Sequence, residues 1–263
     1  MAAHSDDPKV LSDPPPVTPR EAVQRWRLVL ARHALAEDAA QREGTGSWEA
    51  ALLASGLPVA GLDLPRPRPR HALAAPLASA IPGEAELLDL YLVERLPAWR
   101  VREAMTASVP ASFRLLEAYD VWLGEPALPG RVAASVYRAT FGPAAVDPDR
   151  LRAAANGLLA AAVLPRTRRK GDATVDYDLR PFLAGFAVAE SDGRVRLWMT
   201  LRHDPEKGLG RPDEALAALA DALGEPLEPI ELVRERLELA DPPPPAPRQG
   251  QRQPAASARR PRK

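Results

Sequence analysis

Residues 166–182 read RTRRKGDATVDYDLRPF. Four cations open the stretch (Arg166, Arg168, Arg169 and Lys170), and Gly171-Asp172 supplies a turn. The chain then alternates, with Val175, Tyr177 and Leu179 on one side of an extended segment and Asp176, Asp178 and Arg180 on the other. Pro181 follows. A strand carrying two carboxylates and a guanidinium on one face, beside a cationic loop, is either a solvated edge or a place where something polar docks.

Working outward, this strand falls inside a repeated order of elements. Before it, residues 132–141 (VAASVYRATF) read as a strand, and Asp147 caps a helix that has Pro148 at its first position and Leu151, Leu158 and Leu159 on its buried side. After it, Ser191-Asp192-Gly193 turns the chain into residues 194–202 (RVRLWMTLR). There Val195, Leu197, Met199 and Leu201 face inward, and Arg194, Arg196, Trp198 and Arg202 face outward. Pro212 begins another helix, with Asp213 and Glu214 suited to its positive end, and residues 230–239 (IELVRERLEL) close the unit.

The first half has the same order. Residues 23–31 (VQRWRLVLA) alternate as a half-buried strand, and Ser47 starts a helix that ends near Gly56. Residues 61–70 (GLDLPRPRPR) cannot be helical, because each proline removes a donor and extends its predecessor; an extended run resumes over 71–77. Residues 86–95 form a strand through Leu88, Leu90 and Leu92, Pro97 leads a helix to about Ser108, and residues 113–123 form another strand. Two such units predict an α+β protein of two tandem ferredoxin-like (split βαβ) modules with antiparallel sheets, spanning 21–129 and 130–240. The flanks, 1–20 and 241–263, are proline-rich and lack apolar periodicity, which predicts disorder.

Composition bounds the chemistry. The 263 residues include no cysteine, which excludes disulfides, thiolate zinc sites, cysteine nucleophiles and thiolate-held iron-sulfur clusters. Basic and acidic residues balance at 35 each, so bulk charge does not drive nucleic-acid binding, although the tail gathers Arg248, Arg252, Arg259, Arg260, Arg262 and Lys263. No cationic leader precedes an apolar run, and no segment reaches the roughly 18 apolar residues of a membrane helix. The expected location is the cytoplasm, with no membrane partner.

Several clusters are candidates for binding. Arg66, Arg68 and Arg70 place guanidinium groups two residues apart on an extended scaffold, either as phosphate donors or as a solvated loop. Arg166, Arg168, Arg169 and Lys170 form a second cationic group. Asp178 and Arg180 are either a cross-strand ion pair, with Arg194 and Arg196 near enough to neutralise the aspartates, or a catalytic pair. Asp176 and Asp178 alone are too few ligands for a divalent cation. His4, His33, His71 and His203 are scattered, so no metal site or other cofactor is implied. Gly44 to Gly46 lacks the lysine of a phosphate loop. Arg194, Arg196, Trp198 and Arg202 offer an aromatic and cations on an open sheet, the arrangement that holds single-stranded RNA, unless Trp198 seals the contact between modules.

The motifs Arg168 to Gly171, Asp178-Leu179-Arg180-Pro181, Gly210-Arg211-Pro212-Asp213-Glu214, and Ile230 with Arg234 give the chain a family likeness. It resembles the bacterial radical SAM-linked proteins, which occur fused to or encoded beside cobalamin-binding radical SAM enzymes. Gly56-Leu57-Pro58-Val59 fits as well. Two family motifs are altered: S-H-L-D corresponds to Ala40-Gln41-Arg42-Glu43, and G-F-N-P-H-P-K to residues 64–70, LPRPRPR. Both family histidines are absent, which removes proton-transfer chemistry and leaves a stiffer, more cationic loop. The resemblance implies an accessory binding module without catalysis of its own, partnering a separate radical SAM enzyme, with candidate binding residues that include Arg211 and Arg234. The alternative is a free-standing RNA-binding protein acting on tRNA or rRNA; a small-molecule enzyme using Asp178 and Arg180 is a third reading.

Overall fold

In the computed structural model, which describes residues 20–34, 46–170 and 173–241, β1 (Gln24–Arg32) shows why alternation alone misjudges burial. Trp26, Leu28 and Leu30 enter the core as expected, but Arg25 and Arg27 on the opposite face are also buried, at 1% and 4% exposure. The rest of the first half follows as α1 (Gly46–Ala54), β2 (His71–Leu73), β3 (Gly83–Leu92), α2 (Ala98–Ser108) and β4 (Phe113–Val121). The extended run expected over 71–77 is therefore only three residues long.

The second half comprises β5 (Val132–Phe141), α3 (Pro148–Ala160), β6 (Pro165–Lys170), β7 (Ala173–Asp178), β8 (Leu183–Ser191), β9 (Arg194–Asp204), β10 (Gly208–Leu209), α4 (Pro212–Leu223) and β11 (Glu231–Leu239). Asp147 caps α3 as its sequence requires, its carboxylate accepting from the backbone N–H of Asp149 at 2.8 Å and of Arg150 at 3.1 Å. These bonds hold its pKa below the usual carboxylate range. Gly224 ends α4 with φ +73°, the left-handed turn that glycine tolerates.

The fold is α+β, with one large sheet dominated by antiparallel pairing and four helices among the described residues. Nine strands join it, in the order β10-β9-β5-β11-β3-β1-β4, with β2 on β3 and β8 on β9. The antiparallel pairings give β4-β1-β3-β2 for the first set of strands and β11-β5-β9-β8 for the second. Leu28, Leu30, Leu88 and Leu90 pack under Trp48, Leu52, Val101 and Met105. Ala139, Phe141, Leu197 and Met199 pack under helices α3 and α4.

One expected strand lies elsewhere. The alternation over residues 175–180 places them in the sheet, but β7 pairs with β6 as a separate two-stranded hairpin, so Arg166 to Lys170 are strand rather than loop. The sheet position belongs to β8, whose mostly apolar sequence LAGFAVAES carries no strong alternation. Arg180 is not on β7; it opens a short 3-10 turn, Arg180–Phe182, where Pro181 prevents further ladder bonding. The expected turn at Gly171-Asp172, both proline-rich flanks up to residue 19 and from 242, and the segment Ala40 to Glu43 lie outside the described residues.

The two strand sets meet where β11 runs parallel to β3 at Arg234 and Gly83. Arg234 is fully buried, and its Nε donates to Glu86 Oε1 at 2.8 Å while one Nη donates to Glu86 Oε2. The remaining donors reach Pro76 O at 2.8 Å and Ala75 O at 3.1 Å. Gly83 leaves the space: a Cβ there would collide with the Glu86 carboxylate. Burial works against the guanidinium's charge, but Glu86 and Tyr137 outweigh it and hold the pKa of Arg234 above its ordinary value. Replacing Arg234 by methionine is predicted to strand the Glu86 carboxylate and cost about 3–5 kcal/mol in urea denaturation, with part recovered by adding Glu86→Gln. A loss below about 1 kcal/mol for the single variant would contradict this account of the junction.

Candidate functional site

The arginine loop is pinned before it is charged. Arg68 N–H donates to Gly61 O at 2.9 Å and Arg70 N–H to Ala60 O at 2.7 Å, while Ala60 and Arg70 bond to Tyr91 of β3. Gly61 has φ +87°, and a Cβ there would collide with the Arg68 carbonyl, so the closure demands glycine. Because Arg68 and Arg70 bond the same neighbouring segment at alternate residues, their side chains leave on one face. Prolines 65, 67 and 69 stiffen the span between.

That face borders a cavity of about 520 Å³, lined by Arg68, Arg70, Arg20 and Glu21. Arg20 is engaged by Glu94 at 3.1 Å. Arg70 lies 4.1 Å above the Tyr91 ring, which leaves its donors free. Arg66 and Arg68 are exposed and have no carboxylate partner among the described residues. Arg66 does not line the cavity, so the structure separates the loop's three arginines into two that converge and one that does not.

The other candidates are placed differently. The side chains of Asp178 and Arg180 do not pair with each other. Asp178 Oδ1 accepts from Leu164 N at 2.8 Å and Arg180 N at 3.0 Å. The Arg180 guanidinium donates to Leu159 O at 2.7 Å, Ala161 O at 3.1 Å and Leu183 O at 2.9 Å, capping the end of α3 and fixing the start of β8. Asp176 accepts from Thr167 Oγ1 across the hairpin at 2.7 Å. Arg194 and Arg196 are on the main sheet and neutralise neither aspartate.

Arg168, Arg211, Gly210 and Glu214 do converge, with Arg168 4.8 Å above the Tyr177 ring. Arg166 pairs with Asp221 of α4, and Arg211 with Asp213 at 2.6 Å. This is a packed contact between the hairpin and α4 with no room for a ligand. The Tyr177 hydroxyl is buried without a closed hydrogen bond; burial, then nearby Glu214, pushes its pKa up. Arg169 and Lys170 continue β6.

On the sheet face bearing Trp198, the indole donates to Glu235 Oε1 at 3.1 Å. Arg138 joins Glu235 and, at 2.8 Å, Glu84. Arg202 donates to Pro181 O and Leu183 O. Carboxylates therefore populate this face, and Arg194 and Arg196 remain at its outer end.

Alternation along the sequence does not disclose the buried charge groups. Asp89, fully buried, accepts from Arg25 Nε and Arg27 Nε, each at 2.8 Å, and Arg25 also reaches Glu125 O and Pro126 O. Their only signal is an arginine at every second position of β1 opposite an aspartate at the matching position of β3, Arg27 facing Asp89. His203, one of the scattered histidines, is not idle: its Nε2 is 2.8 Å from Ser135 Oγ. Among the described residues no group of three or more His, Cys, Asp or Glu is placed to hold a metal, and no helix is long and apolar enough to cross a membrane.

A family model described as "Uncharacterized protein conserved in bacteria (DUF2344)" matches residues 65–212, more than half of the chain. The match runs from the arginine loop to the start of α4. No curated protein matches the sequence.

His203 yields a pH prediction. Burial, then the charge of Arg234, pushes its pKa down to about 4. The unfolded chain takes up this proton near pH 6.5 and the folded chain does not until about pH 4, so stability falls as pH drops through that window. Between pH 7 and 4.5 the His203→Asn variant should lose less stability than the natural chain, by on the order of 1–3 kcal/mol in urea denaturation. Equal losses would show that His203 is not held neutral.

Proposed function

Since the chain belongs to this bacterial family, and since its motifs resemble those of radical SAM-linked proteins, we propose that it is a non-catalytic binding module that accompanies a separate radical SAM enzyme. One observation carries the reading. The ionisable groups best placed for chemistry are consumed in holding the fold: Asp89 by Arg25 and Arg27, Glu86 by Arg234, Asp178 and Arg180 by backbone, and His203 by Ser135. Among the cations left over, Arg66, Arg68 and Arg70 are gathered on the stiff loop. Such a molecule grips rather than transforms, and the absence of cysteine assigns any iron-sulfur chemistry to a partner.

The two strand sets, β4-β1-β3-β2 and β11-β5-β9-β8, support reading residues 21–129 and 130–240 as two ferredoxin-like units. In this reading the units share one sheet, and the arginine loop belongs to the first. Purification of the tagged protein from its native host at low salt should bring down a radical SAM subunit. Repeated recovery without one would count against the partnership.

A second reading, a free-standing RNA-binding protein, is favoured by the unpaired loop arginines rather than by the acid-populated face at Trp198. It predicts that log K falls linearly with log salt. Reversing the charge at Arg66, Arg68 and Arg70 should flatten the slope by about 0.7 for each phosphate no longer neutralised. No RNA binding at low salt would remove this reading.

A further inference from the structure

We infer that the cavity beside the arginine loop is a site for a phosphorylated organic ligand, with phosphate held between Arg68 and Arg70 and an apolar body against the nonpolar residues of the lining. Two physical features carry this. The first is charge without a counter-charge: Arg68 has no carboxylate partner among the described residues, and Arg70 spends only its face, on Tyr91. Both project from one side of a backbone fixed at Gly61 and Ala60, so little loop entropy is lost on binding, and Arg70 is further held over the Tyr91 ring. The second is the wall itself, where Ala22, Ala60, Leu64 and Leu123 supply apolar surface beside the cations. A purely inorganic anion would leave that surface idle, whereas a nucleotide-sized organic phosphate uses both. The volume of about 520 Å³ is in the range of small-molecule sites, roughly 300–1,000 Å³.

Two acidic groups limit the site and set its polarity. Glu94, outside the lining, takes up the charge of Arg20, and Glu21 is itself part of the lining. The phosphate therefore belongs with Arg68 and Arg70 and the apolar body with Ala22, Leu64 and Leu123.

The inference rests on the binding-module reading but not on the identity of its partner. Failure to recover a radical SAM subunit leaves ligand binding intact, and failure to bind phosphate leaves co-purification intact.

The test is calorimetric titration of the full chain at low salt with pyrophosphate, ATP and a short single-stranded oligoribonucleotide. The expected result is binding of ATP, the oligonucleotide or both, at least about tenfold tighter than pyrophosphate, because only the organic ligands meet the apolar wall. Binding of ATP identifies a free nucleotide as a sufficient ligand, and binding of the oligonucleotide alone identifies a strand phosphodiester. Arg68→Gln should weaken the interaction by about tenfold or more, the loss of one charged hydrogen bond, without changing the melting temperature. Arg152→Gln, on the exposed side of α3 and away from the cavity, should leave it unchanged. No heat with any of the three probes, pyrophosphate as tight as ATP, or equal losses from Arg68→Gln and Arg152→Gln would each overturn the assignment.

Discussion

The junction between the two strand sets rests on a guanidinium enclosed by protein oxygens. Arg234 and Gly83 make the parallel pairing between β11 and β3, and a parallel ladder of that length is weak by itself. The side chain supplies what the ladder lacks, joining the carboxylate of Glu86 to the carbonyls of Pro76 and Ala75. Desolvating two charges is expensive, and the arrangement tolerates it because nearly every donor is met. Gly83 is part of the same device, since any side chain there would collide with Glu86. A single continuous sheet, with one helical layer for each strand set, follows from that joint.

The same logic recurs on the far side of β1, where Asp89 is held by two arginines and Arg25 is tied to the segment that covers it. These groups specify register: a one-residue slip of β1 would turn Arg25 and Arg27 into the leucine core and expose Trp26. Charge is thus used as internal structure in this chain, which explains how 35 basic and 35 acidic residues coexist with so few unpaired cations near the cavity. The arginine loop is the clearest group of charges that the fold does not use.

The D-L-R-P signature illustrates how a motif can be strongly patterned for the sake of the backbone. Asp178 terminates the hairpin by accepting two backbone N–H groups, and Arg180 closes the open end of α3 and the start of β8 by donating to three carbonyls. Pro181 then turns the chain into β8. Each residue type is needed at its position for a backbone reason, and together they join α3, the hairpin and the sheet. The cationic half of the same stretch is likewise occupied, with Arg166 on Asp221 and Arg168 over Tyr177.

The sequence by itself determined the order of elements in the first half, the capping of α3 at Asp147, the leucine faces of β1 and β3, and the non-helical course of the Pro-Arg loop. These depend on local dihedral preference and on periodicity, which neighbouring residues carry. It also marked Arg68 and Arg70 as candidates, because alternating proline and arginine permits little else. Only the tertiary structure decided that β8, not β7, enters the sheet, since an apolar run and an alternating run compete on equal terms until α3 packs. The fates of Asp178, Arg180, Arg234 and His203 were hidden for the same reason. Whether a charged side chain binds a ligand or a buried backbone group depends on which carbonyls and carboxylates arrive from dozens of residues away, and that is settled by packing.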